Sequence, residues 1–286
     1  MRYRSKREYI YSDGYRMKLI LLSPAGSAPA EKRTGILWLH GGGYVTGMAE
    51  MVYISRARAL VKRFGAVVAA PGYRLSGRAP YPAALIDCHN ALLWLREHAE
   101  RLGVRSEQLM VGGESAGGGL AAALCMYEYD NGGVRLAAQM PLYPMLDNED
   151  TETSRDNRAP VWNTRRNHRG WSKYLRGLAG REIPCYAAPA RRQDYSGLPP
   201  AYTFVSTNEP FYAETVDYID NLRKAGVAAD IDIYPGLFHA FDMLLPLLKV
   251  SRRASQAFER WFAAAQRKYF AEQVLPQTEK RSGGSE

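Results

Sequence analysis

The sequence predicts an α/β fold, a mostly parallel central sheet with helices on both faces, and three observations predict it. Short, continuously apolar runs of strand length recur, as in "ILWLH", "AVVAAP" and "QLMVGG", and such runs suit strands buried on both faces. Between them lie longer segments whose apolar residues return at helical spacing, the mark of a helix with one buried stripe. Strand and helix alternate at short intervals, which calls for crossover connections and hence a parallel sheet covered on both sides.

The elements follow in order. "REYIYSDGYRMKLILLSP" reads as two strands joined at Asp13-Gly14, a hairpin-forming dipeptide. "TGILWLH" is a short buried strand running into three glycines. Ile54, Ala57, Val61 and Phe64 then recur at helical spacing, with Gly65 closing the helix before the strand "AVVAAP". Pro82 opens a long helix whose stripe is Leu85, Cys88, Leu92, Leu95 and Leu102, ended by Gly103. There follow strand "QLMVGG", helix "AGGGLAAALCMYEY", strands "LAAQMPLYP" and "AYTFVST", helix "AETVDYIDNLRKAG", strand "ADIDIYPG", and a last helix from about Ser251 to Lys268.

The pattern breaks between Leu146 and Leu198, where no strand is evident and Trp162 and Trp171 stand among basic residues. An insertion of that length between two core strands suggests a lid. Residues 1–145 and 199–270 then form the core, 146–198 a cap, and the polar stretch 271–286 a disordered tail.

Composition narrows the function. With 286 residues, 46% of them hydrophobic, the chain holds a sizeable core. A net charge of +9 raises nucleic acid as a partner. Yet the segment from Arg155 to Arg192 alone carries ten basic against two acidic residues, a local +8, and no nucleic-acid module or interleaved aromatic pattern accompanies it. Cys88, Cys125 and Cys185 are odd in number and widely spaced, which suits a reduced compartment and offers no metal spacing. The longest apolar run near the start, "LILL", is too short for a signal peptide or a membrane span. The expectation is a cytoplasmic protein without metal or membrane insertion.

The chemistry lies in "VGGESAGGG". Gly113-Glu114-Ser115-Ala116-Gly117 has the form G-x-S-x-G between a strand and a helix, the context in which a sharp turn exposes the serine hydroxyl. Small residues at Gly113 and Gly117 let strand and helix approach. A serine needs a base. Of the five histidines, His89 and His98 fall within the helix opened by Pro82, His168 falls in the basic insertion, and His40 precedes a glycine turn that it is placed to brace. His239, in "YPGLFHAF", follows the last strand at the sheet end that carries Ser115. The order Ser, acid, His then points to Glu209, at the end of "AYTFVSTNE". Glu214 and Asp217 are the rivals, but both read as the solvated face of the following helix. Attack on an ester carbonyl creates an oxyanion that needs fixed N–H donors. Ala116 and the glycines of "HGGGYVTG" would supply them: Gly41 and Gly42 as donors, Gly43 as a spacer.

With "HGGGY", "YRLSGRAPYPAAL", "GGESAGG", "LYPMLD" and "FHAF" in this order, the chain resembles the hormone-sensitive lipase family of carboxylesterases, the bacterial family IV esterases, over almost all of residues 34–265. The resemblance implies an α/β-hydrolase fold, a triad of Ser115, Glu209 and His239, oxyanion donors at Gly41, Gly42 and Ala116, and hydrolysis of short- to medium-chain acyl esters without a cofactor. The chain departs from the family pattern in three places: Glu114 stands in the variable position of the elbow, Glu209 replaces the usual Asp, and Gly72 and Arg78 replace an acidic pair. About thirty-five residues precede "ILWLH", fewer than family members often carry, which implies a cap made by 146–198 alone and a more open pocket.

Three function classes remain to be weighed. The leading one is a serine carboxylesterase acting on small-molecule esters. A peptidase or amidase could use the same groups, but no chain-gripping domain is evident. A non-catalytic small-ligand receptor on the same fold would have lost the base, whereas His239 is present. The basic insertion either favours esters carrying carboxylate or phosphate or forms a solvated surface, the latter being the better reading. "ADIDIYPG" offers an edge for a homodimer.

Overall fold

The computed structural model describes residues 2–26 and 32–273. Tyr3–Ser12 (β1) and Tyr15–Pro24 (β2) pair as an antiparallel hairpin closed by Asp13 and Gly14, both left-handed at φ 47° and 75°, the values a two-residue turn of this hand requires. Arg33–Leu39 (β3) leads through a 3-10 turn at Ala49–Tyr53 into Ala57–Phe64 (α1) and Val67–Pro71 (β4). Ala83–Glu97 (α2) and Ala99–Leu102 (α3) precede Val104–Glu114 (β5), Ala116–Asp130 (α4) and Ala138–Leu142 (β6). Thr164–Tyr174 (α5) is the one α-helix of the insertion. Ala201–Ser206 (β7), Tyr212–Lys224 (α6), Ala229–Tyr234 (β8), Phe241–Leu244 (α7) and Lys249–Lys268 (α8) complete the order.

The eight strands form one sheet in the order β1-β2-β4-β3-β5-β6-β7-β8. β2 meets β4 antiparallel, and every pairing from β4 to β8 is parallel. Alternation along the strands feeds two cores. Leu37 and Leu39 pack with Leu85, Cys88 and Leu92 of α2 and Leu120 and Leu124 of α4, while Ile36 and Trp38 pack with Leu60 of α1 and Phe258 and Phe262 of α8. Both faces are therefore dry, which is why the strands read as unbroken apolar runs. A third cluster seats Tyr218, Ile219 and Leu222 of α6 beside Met126 of α4.

Several expectations need correction. Ile54 is not part of α1; it follows the 3-10 turn with its side chain 68% exposed. The helix opened by Pro82 breaks at His98, so Leu102 belongs to α3. Within the expected tail, Ala271 donates from its N–H to the Glu107 carbonyl at 2.8 Å, and the Gln273 side-chain amide donates to the Ser106 and Arg135 carbonyls, so residues 271–273 are tied to the core; 274–286 lie outside the described residues. Among the described residues no helix is long and apolar enough to cross a membrane.

Candidate active site

β3, β5, β7 and β8 end on the same side of the sheet, and the chain just beyond each end carries one of the groups singled out in the sequence. Ser115 sits between β5 and α4 at φ 58°, ψ −121°, a conformation an L-residue adopts only when its surroundings impose it. They do so here. Its N–H donates to the Leu142 carbonyl at 3.0 Å, and its carbonyl accepts from Met145 at 3.1 Å and Gly119 at 3.0 Å. A Cβ at Gly113 would lie 2.5 Å from the Leu39 carbonyl oxygen, and one at Gly117 would overlap that oxygen, so the close approach of β5 and α4 to β3 requires both glycines.

The structure brings Ser115, His239 and Glu209 together. The Ser115 hydroxyl is 2.9 Å from His239 Nε2, the His239 Nδ1–H donates to Glu209 Oε2, and Glu209 Oε1 accepts from the Ser206 N–H at 2.8 Å. All three are buried, Glu209 completely. The rings of Tyr143 and Phe211 stand edge-on to the imidazole at 5.1 and 5.0 Å and fix its plane. Glu209 Oε1 is spent on its own strand end, which leaves the other oxygen aimed at His239.

The glycine loop is held by its carbonyls. In a trans peptide the carbonyl of one residue and the N–H of the next point opposite ways. Tyr73 Oη–H donates to the His40 carbonyl at 2.7 Å, which turns the Gly41 N–H the other way. His40 Nδ1–H donates to the Gly41 carbonyl at 2.8 Å, which does the same for Gly42. A Cβ on Gly41 would lie 3.3 Å from Ser115 Cβ, so the loop runs directly beside the serine. Ala116 is the first residue of α4, and its N–H has no carbonyl one turn earlier within the helix. Burial pushes the His40 imidazole down to about 4 and keeps it neutral, as a single-donor brace needs. Gly43 is left-handed at φ 58° and lies under the Trp162 indole.

Glu114 is buried, with Trp38 Nε1–H donating to one oxygen at 2.8 Å and the Arg56 N–H to the other at 3.2 Å. Burial pushes this carboxyl up to about 8 despite those two donors. Arg56 also grips the chain beyond His239: its Nε lies 2.7 Å from Asp242 Oδ2 and its Nη2 2.9 Å from the Asp242 carbonyl. One residue thus ties the serine's neighbour to the histidine loop. Sequence reasoning missed Arg56, Tyr73, Tyr143 and Phe211, since their roles depend on contacts between distant segments.

One reading is overturned here. Glu214 is not on a solvated face: it is buried and accepts from the N–H groups of Leu146 at 2.6 Å and Asp147 at 3.3 Å, pinning the start of the insertion to α6. Asp217 is exposed as expected. The basic segment 155–192 reaches the cleft through Val161 and Trp162 rather than through a cation. The cleft over Ser115 holds about 260 Å³ and is walled by Met51, Ile54, Tyr143, Val161, Trp162, Met243 and Leu244, with no Lys or Arg among its described residues. Arg191 and Arg192 instead pair with Glu149 at 2.8 Å and Asp130 at 2.7 Å.

A buried Ser-His-carboxylate relay on a strand-to-helix elbow, facing a glycine loop, defines the class of serine hydrolases built on a parallel sheet. The chain belongs to the alpha/beta hydrolase fold family, whose profile matches residues 36–243, and within it to the hormone-sensitive-lipase-like branch. It is 30% identical over 213 residues to Esterase LipI of Mycobacterium tuberculosis, covering 72% of this chain and 65% of the relative. It is also 30% identical over 234 residues to an ethyl acetate hydrolase of Pseudomonas putida, covering 80% and 72% of the two chains. Among solved structures, a bacterial heroin esterase superposes with a TM-score of 0.84 at 31% identity, covering 92% of this chain and 84% of that one.

Proposed function

We propose that the chain is a serine carboxylesterase that hydrolyses short- to medium-chain acyl esters through an acyl-enzyme. The observation that carries this reading is the unbroken relay from Glu209 through His239 to the strained Ser115. In this reading Ser115 Oγ attacks the ester carbonyl while His239 Nε2 takes its proton. Glu209 holds the imidazole with Nδ1–H toward itself and stabilises the imidazolium. The N–H groups of Gly41, Gly42 and Ala116 receive the oxyanion, and each such donor is worth roughly 3–4 kcal/mol in the transition state. His239 then protonates the departing alcohol, and water, activated by the same base, cleaves the acyl-serine.

The cleft walls select neutral, apolar esters over charged ones, because an anionic group entering them would lose hydration without gaining a cation. Residues 146–198 act as the cap, with Val161 and Trp162 forming its contribution to the cleft. The free cysteines fit a cytoplasmic setting, and β8, at the edge of the sheet, is the strand through which two copies would pair.

The test is a rate panel of p-nitrophenyl esters from acetate to decanoate, with and without a terminal carboxylate on the acyl chain, for the wild type and Ser115→Ala. The reading requires hydrolysis by the wild type, with a preference for the neutral esters, and its loss in the variant.

A further inference from the structure

The end of α7, the link 245–248 and the first residue of α8 read "LLPLLK" and face solvent. Leu244 is 54% exposed and Leu247 79%, with Leu245 and Leu248 also exposed. Four leucines within five residues are a contiguous apolar surface of the kind a monomer seldom leaves in water without use. This one is continuous with the cleft over Ser115, since Leu244 and Met243 wall that cleft together with the exposed Ile54.

Directly after the leucines come Lys249, Arg252 and Arg253, all exposed, and the first turn of α8 contains no acidic residue. Among the described residues none of these three cations has a carboxylate partner. Their place is electrostatically unfavourable, because the start of a helix carries the positive end of its dipole. Three unpaired cations there, beside an exposed apolar loop, are better suited to meeting negative charge from outside than to holding the helix. A second copy docked on the same face would set cations against cations, in a chain whose net charge is already +9. An anionic lipid surface satisfies both features at once: leucines enter the acyl boundary and the cations remain among the headgroups.

We propose that the Leu244–Leu248 loop, with Lys249, Arg252 and Arg253, docks the protein peripherally on anionic lipid surfaces, so that esters dissolved there enter the cleft along the leucines. This rests on the esterase reading for its purpose but not for its test. Docking is read by sedimentation of the intact chain with vesicles of equal parts phosphatidylglycerol and phosphatidylcholine, and with phosphatidylcholine alone. Hydrolysis of soluble p-nitrophenyl acetate is followed separately as a report on the Ser115 site.

The proposal expects binding to the anionic vesicles that weakens with salt, and little binding to phosphatidylcholine alone. Each headgroup-level cation contributes about fivefold to partitioning, so Lys249→Gln/Arg252→Gln/Arg253→Gln should weaken it on the order of a hundredfold. Leu247→Ser/Leu248→Ser should also release the protein, with both variants hydrolysing p-nitrophenyl acetate at the wild-type rate. Absence of vesicle binding, equal binding to both vesicle types, or binding unchanged in both variants overturns the proposal. So does a wild-type dimer that Leu247→Ser/Leu248→Ser converts to monomer without any effect on vesicles. Vesicle binding with no hydrolysis of p-nitrophenyl acetate would leave docking standing and overturn the esterase reading instead.

Discussion

Tyr73 lies flat against His40, ring centroids 4.1 Å apart and planes 9° from parallel, while its hydroxyl reaches past the imidazole to the His40 carbonyl at 2.7 Å. That hydroxyl sets the peptide plane that carries the Gly41 N–H. Tyr73→Phe keeps the stack and removes only the donor, so the fold should persist while the peptide gains freedom to rotate. Loss of an oxyanion donor outright costs about 10²–10³ in kcat, and loosening one should cost less, roughly tenfold. The expected signature is a lower kcat for p-nitrophenyl acetate with KM nearly unchanged, since in the proposed mechanism the Gly41 N–H acts on the transition state rather than on bound ester.

His40 also makes the loop sensitive to acid. Its buried imidazole sits at about 4, against about 6.5 in an unfolded chain. Between those values the unfolded state binds a proton that the folded state refuses, so stability is fully present above about pH 6.5 and declines as pH falls toward 4. The loss integrates to on the order of 3 kcal/mol. His40→Gln retains an amide that can donate to the Gly41 carbonyl but does not titrate. Denaturant unfolding of the two proteins at a series of pH values should show the wild type losing stability more steeply across this window.

Much of this was legible because short-range chemistry demanded it. Asp13-Gly14 had to turn, G-x-S-x-G had to expose Ser115, and the apolar runs had to be buried on both faces. Glu209 and His239 were legible through their places after β7 and β8, because a parallel sheet sends every strand end to the same edge. What could not be read depends on contacts without sequence spacing. Arg56 reaches a residue 186 positions away, and Glu214 looks solvated in a helical pattern until the insertion's N–H groups are seen to need an acceptor. The basic segment left two readings open for a related reason: sequence records its charge, whereas the fold shows Arg191 and Arg192 paired with Glu149 and Asp130 and no cation among the described residues that line the cleft.

Gly43 and Trp162 should prove coupled. A Cβ at Gly43 would overlap the indole, and the left-handed backbone adds roughly 1 kcal/mol for any L side chain. Gly43→Ala should therefore push Trp162 outward, destabilise the protein, and raise KM for short esters by deforming the cleft wall. Trp162→Ala removes the obstacle and enlarges the cleft toward longer acyl chains. Adding Gly43→Ala to Trp162→Ala should then cost little beyond the backbone strain. A double-mutant cycle on unfolding free energies checks this, and additive costs would mean that the indole yields freely.

Glu209 stands where the family resemblance implies a shorter acid, and its geometry shows what the longer side chain reaches. One carboxylate oxygen is committed to the Ser206 N–H at 2.8 Å and the other to His239 Nδ1–H, so the carboxyl bridges the end of β7 and the imidazole. Glu209→Asp withdraws it by one methylene and cannot satisfy both partners without moving the histidine. A displacement of about 1 Å in such an assembly is worth on the order of 10² in rate. Glu209→Gln keeps the reach and the bond from Ser206 but presents an uncharged group to His239, which should lower kcat by about 10⁴. Asp217→Asn, on the exposed side of α6, should leave the rate unchanged. The three variants, measured for kcat on p-nitrophenyl acetate, separate the roles: a Glu209→Asp enzyme as fast as the wild type would show that reach is immaterial. A fast Glu209→Gln enzyme would remove the carboxylate from the mechanism.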